Sequence, residues 1–183
     1  GRERFLPWFL LTIACVLILV MTNNVLVLAG AWVGVSISLH NLLTLYPERP
    51  QARMAAVQKF IVSRAGDALV VAGAVMLYLH HGTLFLPDMV QAQSIEPSSS
   101  FTLTLASVAL ALAAILKCAQ IPFHGWLLRV MEAPTPVSAL LHAGVINLGG
   151  FLWLRLFPVF DGFMAGHMVL LVIGGFTAVI AVL

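Results

Sequence analysis

The sequence predicts an all-α, polytopic membrane protein: a bundle of about six transmembrane helices, one of them broken near residues 119–122. Three observations carry that prediction. Of 183 residues, 61% are hydrophobic and only 9% are charged, where a soluble domain usually has about a quarter of its residues charged. Charge is also absent from long stretches, with none between Phe5 and Pro47. Finally, one lysine, Lys117, follows sixteen uncharged residues and precedes Pro122 by five positions. This composition excludes a soluble enzyme and a disordered tail, and with no basic patch to neutralise phosphates it excludes a nucleic-acid binder. Cys15 and Cys118 lie in apolar runs and read as small buried side chains, not as a disulfide or metal pair.

The elements follow in order. A single helix over the 43 uncharged residues from Phe5 to Pro47 would be about 65 Å long, against a hydrocarbon core of about 30 Å. The run must therefore fold into two helices, and Asn23-Asn24 is the natural turn between spans 6–22 and 25–46. Span 60–81 is the third, and a loop from Gly82 to Ser100 leads to the fourth, 101–118. A straight helix from Phe101 to Met131 would be about 46 Å long. Pro122 lacks an N–H and clashes one turn back, so the helix is expected to break just after Lys117 and resume as a half-helix over 122–132. Spans 134–157 and 164–183 complete the set. Glycines at 30, 34, 144, 149, 150, 174 and 175 fit close helix packing. The chain opens on Gly1 without an initiator Met and closes inside an apolar run, so it reads as a fragment forming one membrane domain, 1–183.

Alternate loops fall on opposite sides. One side collects Arg2, Arg4, Arg49, Arg53, Lys59 and Arg129; the other has only Arg155 near its third loop. The positive-inside rule makes the first side cytoplasmic.

Ionisable side chains at bilayer depth carry the functional signal, because each costs about 2.5–3.5 kcal/mol there on the mildest scale. Lys117 is the sharpest case. A broken helix exposes polar backbone at membrane depth, which is tolerated where it lines a hydrated cavity. A buried lysine beside such a break can load and release a proton as its surroundings change. The competing reading is a lysine snorkelling to the interface. His142, two turns into the fifth span with Thr135 and Ser138 before it, is the natural relay partner; a hydrogen-bonded structural histidine is the alternative. Arg64 and Asp67, three apart, share a helix face and read first as a structural pair, with a role in ion movement second. His124, Arg129 and Glu132, after the break, either line a cytoplasmic access path or are exposed interfacial groups. His40 and His142 are the histidines of plausible depth to ligate haem, but His40 sits near a helix end. No cofactor, metal or catalytic site is expected in this chain.

The run Lys117-Cys-Ala-Gln-Ile-Pro-Phe-His-Gly-Trp126, followed by Met131-Glu-Ala-Pro-Thr-Pro-Val-Ser-Ala-Leu-Leu-His142, resembles the signature of the proton-conducting antiporter-like membrane subunits. That family includes the largest antiporter-like subunit of respiratory complex I, the Mrp sodium/proton antiporters and the inorganic-carbon pumps. Ser63-Arg-Ala-Gly-Asp67 and Gly82-Thr-Leu84 are similar to it too. The resemblance covers essentially the whole chain and implies one five-helix repeat, plus a further helix, of a larger inverted-repeat fold. It also implies that Lys117 is the family's broken-helix lysine and His142 its following-helix histidine. Two positions depart from the pattern. The family's Trp-Glu-Gly falls on Trp32-Val33-Gly34, so the glutamate expected to pair with the lysine is absent at Val33. Asn147 stands where several relatives have lysine or threonine.

With the run His142-Ala-Gly-Val-Ile-Asn-Leu-Gly-Gly-Phe151, these departures resemble most the DabB-type membrane subunit of inorganic-carbon pumps. The resemblance then implies inward flow of protons or sodium coupled to uptake of carbon dioxide or bicarbonate. It implies membrane or soluble partner subunits, among them a large zinc-dependent one that would hold the zinc itself. The alternatives it leaves are a proton-pumping membrane subunit of an NADH–quinone oxidoreductase, which would bind no NADH or flavin, and an Mrp-type antiporter subunit.

Overall fold

In the computed structural model the described residues are 2–44, 50–95, 100–130, 135–160 and 164–182, with the side chains of 2–4, 50–56, 129–130 and 143 outside the description. These residues form helices α1 (Arg2–Met21), α2 (Val25–Leu43), α3 (Pro50–His81), α4 (Leu86–Ile95), α5 (Phe101–Lys117), α6 (Gly125–Val130), α7 (Thr135–Leu140), α8 (Leu148–Leu156) and α9 (Met164–Val182). Three stretches, Val25–Leu43, Val57–His81 and Met164–Val182, are long and apolar enough to cross a membrane. Phe5–Met21, Phe101–Lys117 and Leu148–Phe160 are apolar but shorter.

α5 is the hub, packing against α3, α8 and α9, while α1 packs on α2 and α2 on α3. Leu39, Leu77, Leu103, Ile115, Leu152 and Phe160 are fully buried between them. Large apolar side chains also face outward, among them Leu10, Leu79, Leu154, Leu171 and Val179, as a lipid-facing bundle requires because lipid and core are equally apolar.

One end of the bundle is knitted by its turns. Asn24 caps α2, its side chain accepting from the N–H groups of Leu26 (2.9 Å) and Val27 (3.2 Å). The same turn pairs with the segment before α4: Val25 N–H donates to Leu84 O (2.9 Å) and Leu86 N–H to Asn23 O (2.8 Å). Arg155 joins it from the end of α8, donating to Thr22 O (2.9 Å) and to Asn23 Oδ1. The turn at Asn23-Asn24, the stretch after His81 and Arg155 therefore share one end.

Three expectations need correction. The segment 82–100, expected as loop, contains α4, whose Leu86, Met89 and Gln93 turn inward over the 3-10 turn Phe157–Phe160. Spacings of three and four give even this short stretch a buried face. The helix expected over 134–157 is not continuous: a π-helical turn, Leu141–Val145, separates α7 from α8, and 131–134 lie outside the described residues. Lys59, counted with the charges of the cytoplasmic side, is buried, with 2% of its surface exposed.

The break after α5 falls where the lysine and proline put it. α5 ends at Lys117, and Ala119 takes a left-handed φ of 51°, strained for a residue with a Cβ. Hydrogen bonds hold the broken segment: Gln120 N–H to Ile115 O (3.2 Å) and Ile121 N–H to Thr177 Oγ1 of α9 (3.2 Å).

Close approach explains Gly149 and leaves Gly150 unneeded for packing. A Cβ on Gly149 would lie 2.5 Å from Ala114 O, 2.6 Å from Cys118 Sγ and 3.0 Å from Ala114 Cα, whereas one on Gly150 would meet nothing within 4 Å. Gly30, Gly144 and Gly175 likewise face open space, and Gly166 is pressed against Trp153 and the Ser107 backbone. Gly149→Ala is expected to push α8 off α5 and cost about 1–3 kcal/mol, the usual range for overpacking. It should lower the melting temperature of the detergent-solubilised full-length protein while Gly150→Ala leaves it unchanged. Equal melting of the two variants would show that α5 and α8 do not meet so closely.

Candidate functional site

Ser36 of α2 is the centre of the site. It lies one turn after Trp32 and has 1% of its surface exposed. Its hydroxyl accepts a hydrogen bond from Lys117 Nζ (2.8 Å) and donates one to Asp67 Oδ1 (2.8 Å). Its backbone carbonyl accepts from Lys59 Nζ (2.9 Å). Three helices thus meet on one serine: α5 brings Lys117, α3 brings Lys59 and Asp67, and α2 supplies the hydroxyl.

The surroundings are apolar. Lys117 has 7% of its surface exposed and Asp67 5%. The Lys117 ammonium stands 4.7 Å from the centre of the fully buried Trp32 ring, a cation–π contact that offsets part of its lost hydration. Arg64, three residues before Asp67, forms an ion pair with it and lies 5.2 Å from the centre of the Phe60 ring. The arrangement has a specific chemical capacity. A hydroxyl that accepts from an ammonium and donates to a carboxylate can pass a proton by exchanging one O–H bond for another. Proton transfer from Lys117 to Asp67 would convert two charges into two neutral groups, which a low-dielectric site tolerates.

The glutamate that the resemblance leads one to expect is absent at Val33, and the carboxylate connected to Lys117 here is that of Asp67. Val33 lines an apolar cavity of about 510 Å³ between α2 and α3 with Ala29, Val71, Ala74, Val75 and Tyr78, while Asp67 reaches the lysine through Ser36. Arg64 and Asp67, read from sequence first as a structural pair, are thereby part of the Lys117 site.

His142 is elsewhere. It lies in the π turn and is exposed, its carbonyl accepting from Asn147 Nδ2 (3.4 Å); none of the hydrogen bonds made by Lys117 Nζ goes to it. The π turn takes up one more residue than an α-turn, shifting the face that the 3.6 period assigns to His142. A sulfur contact joins the two discontinuities, Cys118 donating to Ile146 O at 3.1 Å. His124, half-buried, sits in the turn before α6 and makes none of the hydrogen bonds of the Ser36 cluster. The Arg129 side chain and Glu132 lie outside the described residues. Among the described residues, no three His, Cys, Asp or Glu side chains converge as a metal site would require.

Sequence reasoning missed Ser36, Lys59 and Trp32. The signal for Ser36 was present, a hydroxyl at i+4 from a tryptophan in an uncharged span. Lys59 gave a misleading one, because a lysine near the start of a span normally snorkels outward, and only the packing of α2 on α3 encloses it.

Residues 22–183 match the family described as NADH:quinone oxidoreductase/Mrp antiporter, transmembrane. The chain is 45% identical over 182 residues to the probable inorganic carbon transporter subunit DabB of Hydrogenovibrio crunogenus, covering 100% of this chain and 35% of that protein. It is 38% identical over 151 residues to NADH-quinone oxidoreductase subunit L of Pseudomonas aeruginosa, covering 82% of this chain and 25% of that one. Among solved structures, the Mrp complex from Dietzia sp. DQ12-45-1b superposes with a TM-score of 0.83 at 32% identity, over 93% of this chain and 19% of its counterpart. The chain spans about a third of the length of the carbon-transporter relatives it matches.

Proposed function

The chain belongs to the NADH:quinone oxidoreductase/Mrp antiporter transmembrane family, and from that premise we propose that it carries protons or sodium ions through the bilayer to drive inorganic carbon uptake. It is an antiporter-like membrane subunit, and its relatives include subunits of multi-subunit complexes. The observation that carries the ion-conducting reading is the buried chain from Lys117 through Ser36 to Asp67. The carbon-uptake reading rests on 45% identity along the full chain to a probable inorganic carbon transporter subunit.

Lys117 is the central carrier in this reading. Its proton moves as the Nζ–H bond breaks and an Oγ–H bond forms on Ser36, while the hydroxyl's own proton passes to Asp67. Return of that proton recharges the pair. Water at the break, 118–122, supplies and removes protons on one side, and His142 passes them onward. The side to which the sequence assigns Arg2, Arg4, Arg49, Arg53 and Arg129 faces the cytoplasm of a bacterial inner membrane; the burial of Lys59 leaves that bias standing. A soluble zinc-dependent partner converts carbon dioxide to bicarbonate.

Growth at ambient carbon dioxide tests the reading. The host lacks carbonic anhydrase and carries the full-length gene with its neighbour. Rescue by this pair is the expected result. Failure of a well-expressed pair to rescue would move the assignment to the respiratory or antiporter branch of the family.

A further inference from the structure

We propose that Lys59 is a second proton carrier, exchanging protons between the end of the bundle where α2 finishes and α3 begins and the Lys117 site. This inference rests on the ion-conducting reading above and adds a residue to its path.

Four observations support it. Lys59 has 2% of its surface exposed, less than Lys117 at 7% or Asp67 at 5%. Its ammonium donates to the backbone carbonyl of Ser36 (2.9 Å), the residue whose hydroxyl takes the bond from Lys117 (2.8 Å). It lies two residues beyond the start of the apolar stretch Val57–His81 and eight before Asp67, which by helical rise is about 12 Å shallower. Lys59 is thus the outermost member of a buried row that continues through Asp67 and Ser36 to Lys117. The charges in that row do not balance: Lys59, Arg64 and Lys117 are cationic groups, and Asp67, the carboxylate among them, already pairs with Arg64. Two ammonium groups converging on one serine in an apolar interior repel each other with little screening, so the row is most stable with its proton on one amine at a time.

The step is a simple exchange. The Nζ–H bond of Lys59 breaks with its electron pair left on nitrogen, a water molecule takes the proton, and the freed amine is reprotonated by water from the end where α2 finishes and α3 begins. The Ser36 carbonyl orients the amine without accepting the proton. A purely structural lysine would instead tie α3 to α2, as a hydrogen-bond donor or as a fixed charge.

Those roles separate by substitution. Lys59→Gln keeps a donor and loses the charge; Lys59→Arg keeps donors and charge but does not release a proton. The full-length protein and its partner, reconstituted into proteoliposomes with an internal pH dye, would be tested beside Lys117→Ala, with the amount of inserted protein measured for each. Both Lys59 variants are expected to insert and to lose proton flux by about a hundredfold, the scale on which a positioned proton-transfer group contributes. Wild-type flux in either variant would overturn the role of Lys59 and leave that of Lys117 intact. If the bulk of arginine prevents insertion, the glutamine variant decides alone. Equal flux in the unmodified protein and Lys117→Ala would overturn the ion-conducting reading itself, and the role of Lys59 with it.

Discussion

Lys117→Ala is expected to abolish ion-coupled activity in the full-length protein while leaving membrane insertion intact. The loss follows from the proposed path: Lys117 donates the hydrogen bond that the Ser36 hydroxyl accepts, and alanine leaves the hydroxyl and the Asp67 carboxylate without that donor. Insertion should survive because removing a charge at bilayer depth relieves a cost of about 2.5–3.5 kcal/mol. That relief is set against the lost packing of the lysine stem on Trp32. The measurements are rescue of growth at ambient carbon dioxide and the amount of protein in the membrane fraction. A variant that inserts normally and still rescues would sink the mechanism.

Asp67→Asn should have the next largest effect. The amide keeps an oxygen to accept from Ser36 but removes the negative charge, so the proton from Lys117 has no base to reach and Arg64 loses its ion pair. Flux is expected to fall by about a hundredfold, in line with loss of a proton-transfer group. Stability should fall as well, toward the low end of the ~3–5 kcal/mol seen when one member of a buried pair is removed, because Arg64 is partly exposed. Val33→Glu provides the contrast. Its side chain would enter the apolar cavity between α2 and α3, so it is not expected to restore flux to Asp67→Asn. Restoration would show that a carboxylate at position 33 reaches Lys117 after all.

Much of the candidate site was legible because its residues violate a rule. A lysine that follows the sixteen uncharged residues from Phe101, with a proline five positions later, marks both a buried charge and a broken helix, and α5 ends at that lysine. Arg64 and Asp67 were legible as a pair because i and i+3 share a face. Their connection to Lys117 was not, since it depends on a serine 31 positions earlier than Asp67 and 81 earlier than Lys117. No local pattern encodes that convergence. His142 shows the opposite failure: its face was inferred from a 3.6 period that the π turn at Leu141–Val145 interrupts. Gly144 and Asn147 hint at weakened helix, but neither specifies a π turn.

By itself, the sequence determined the membrane class, the turn at Asn23-Asn24, the break after Lys117 and the family, because composition, charge spacing and motif order are properties of the chain read in one dimension. The tertiary structure decided which charges meet. It turned Lys59 from an end-of-span charge into a buried one and recruited Asp67 through Ser36 where position 33 offers no carboxylate. The physical reason is that an ionisable group's role depends on the helices packed around it. Those helices come from parts of the chain far apart in sequence, and their contacts are fixed only when α2, α3 and α5 close on one another.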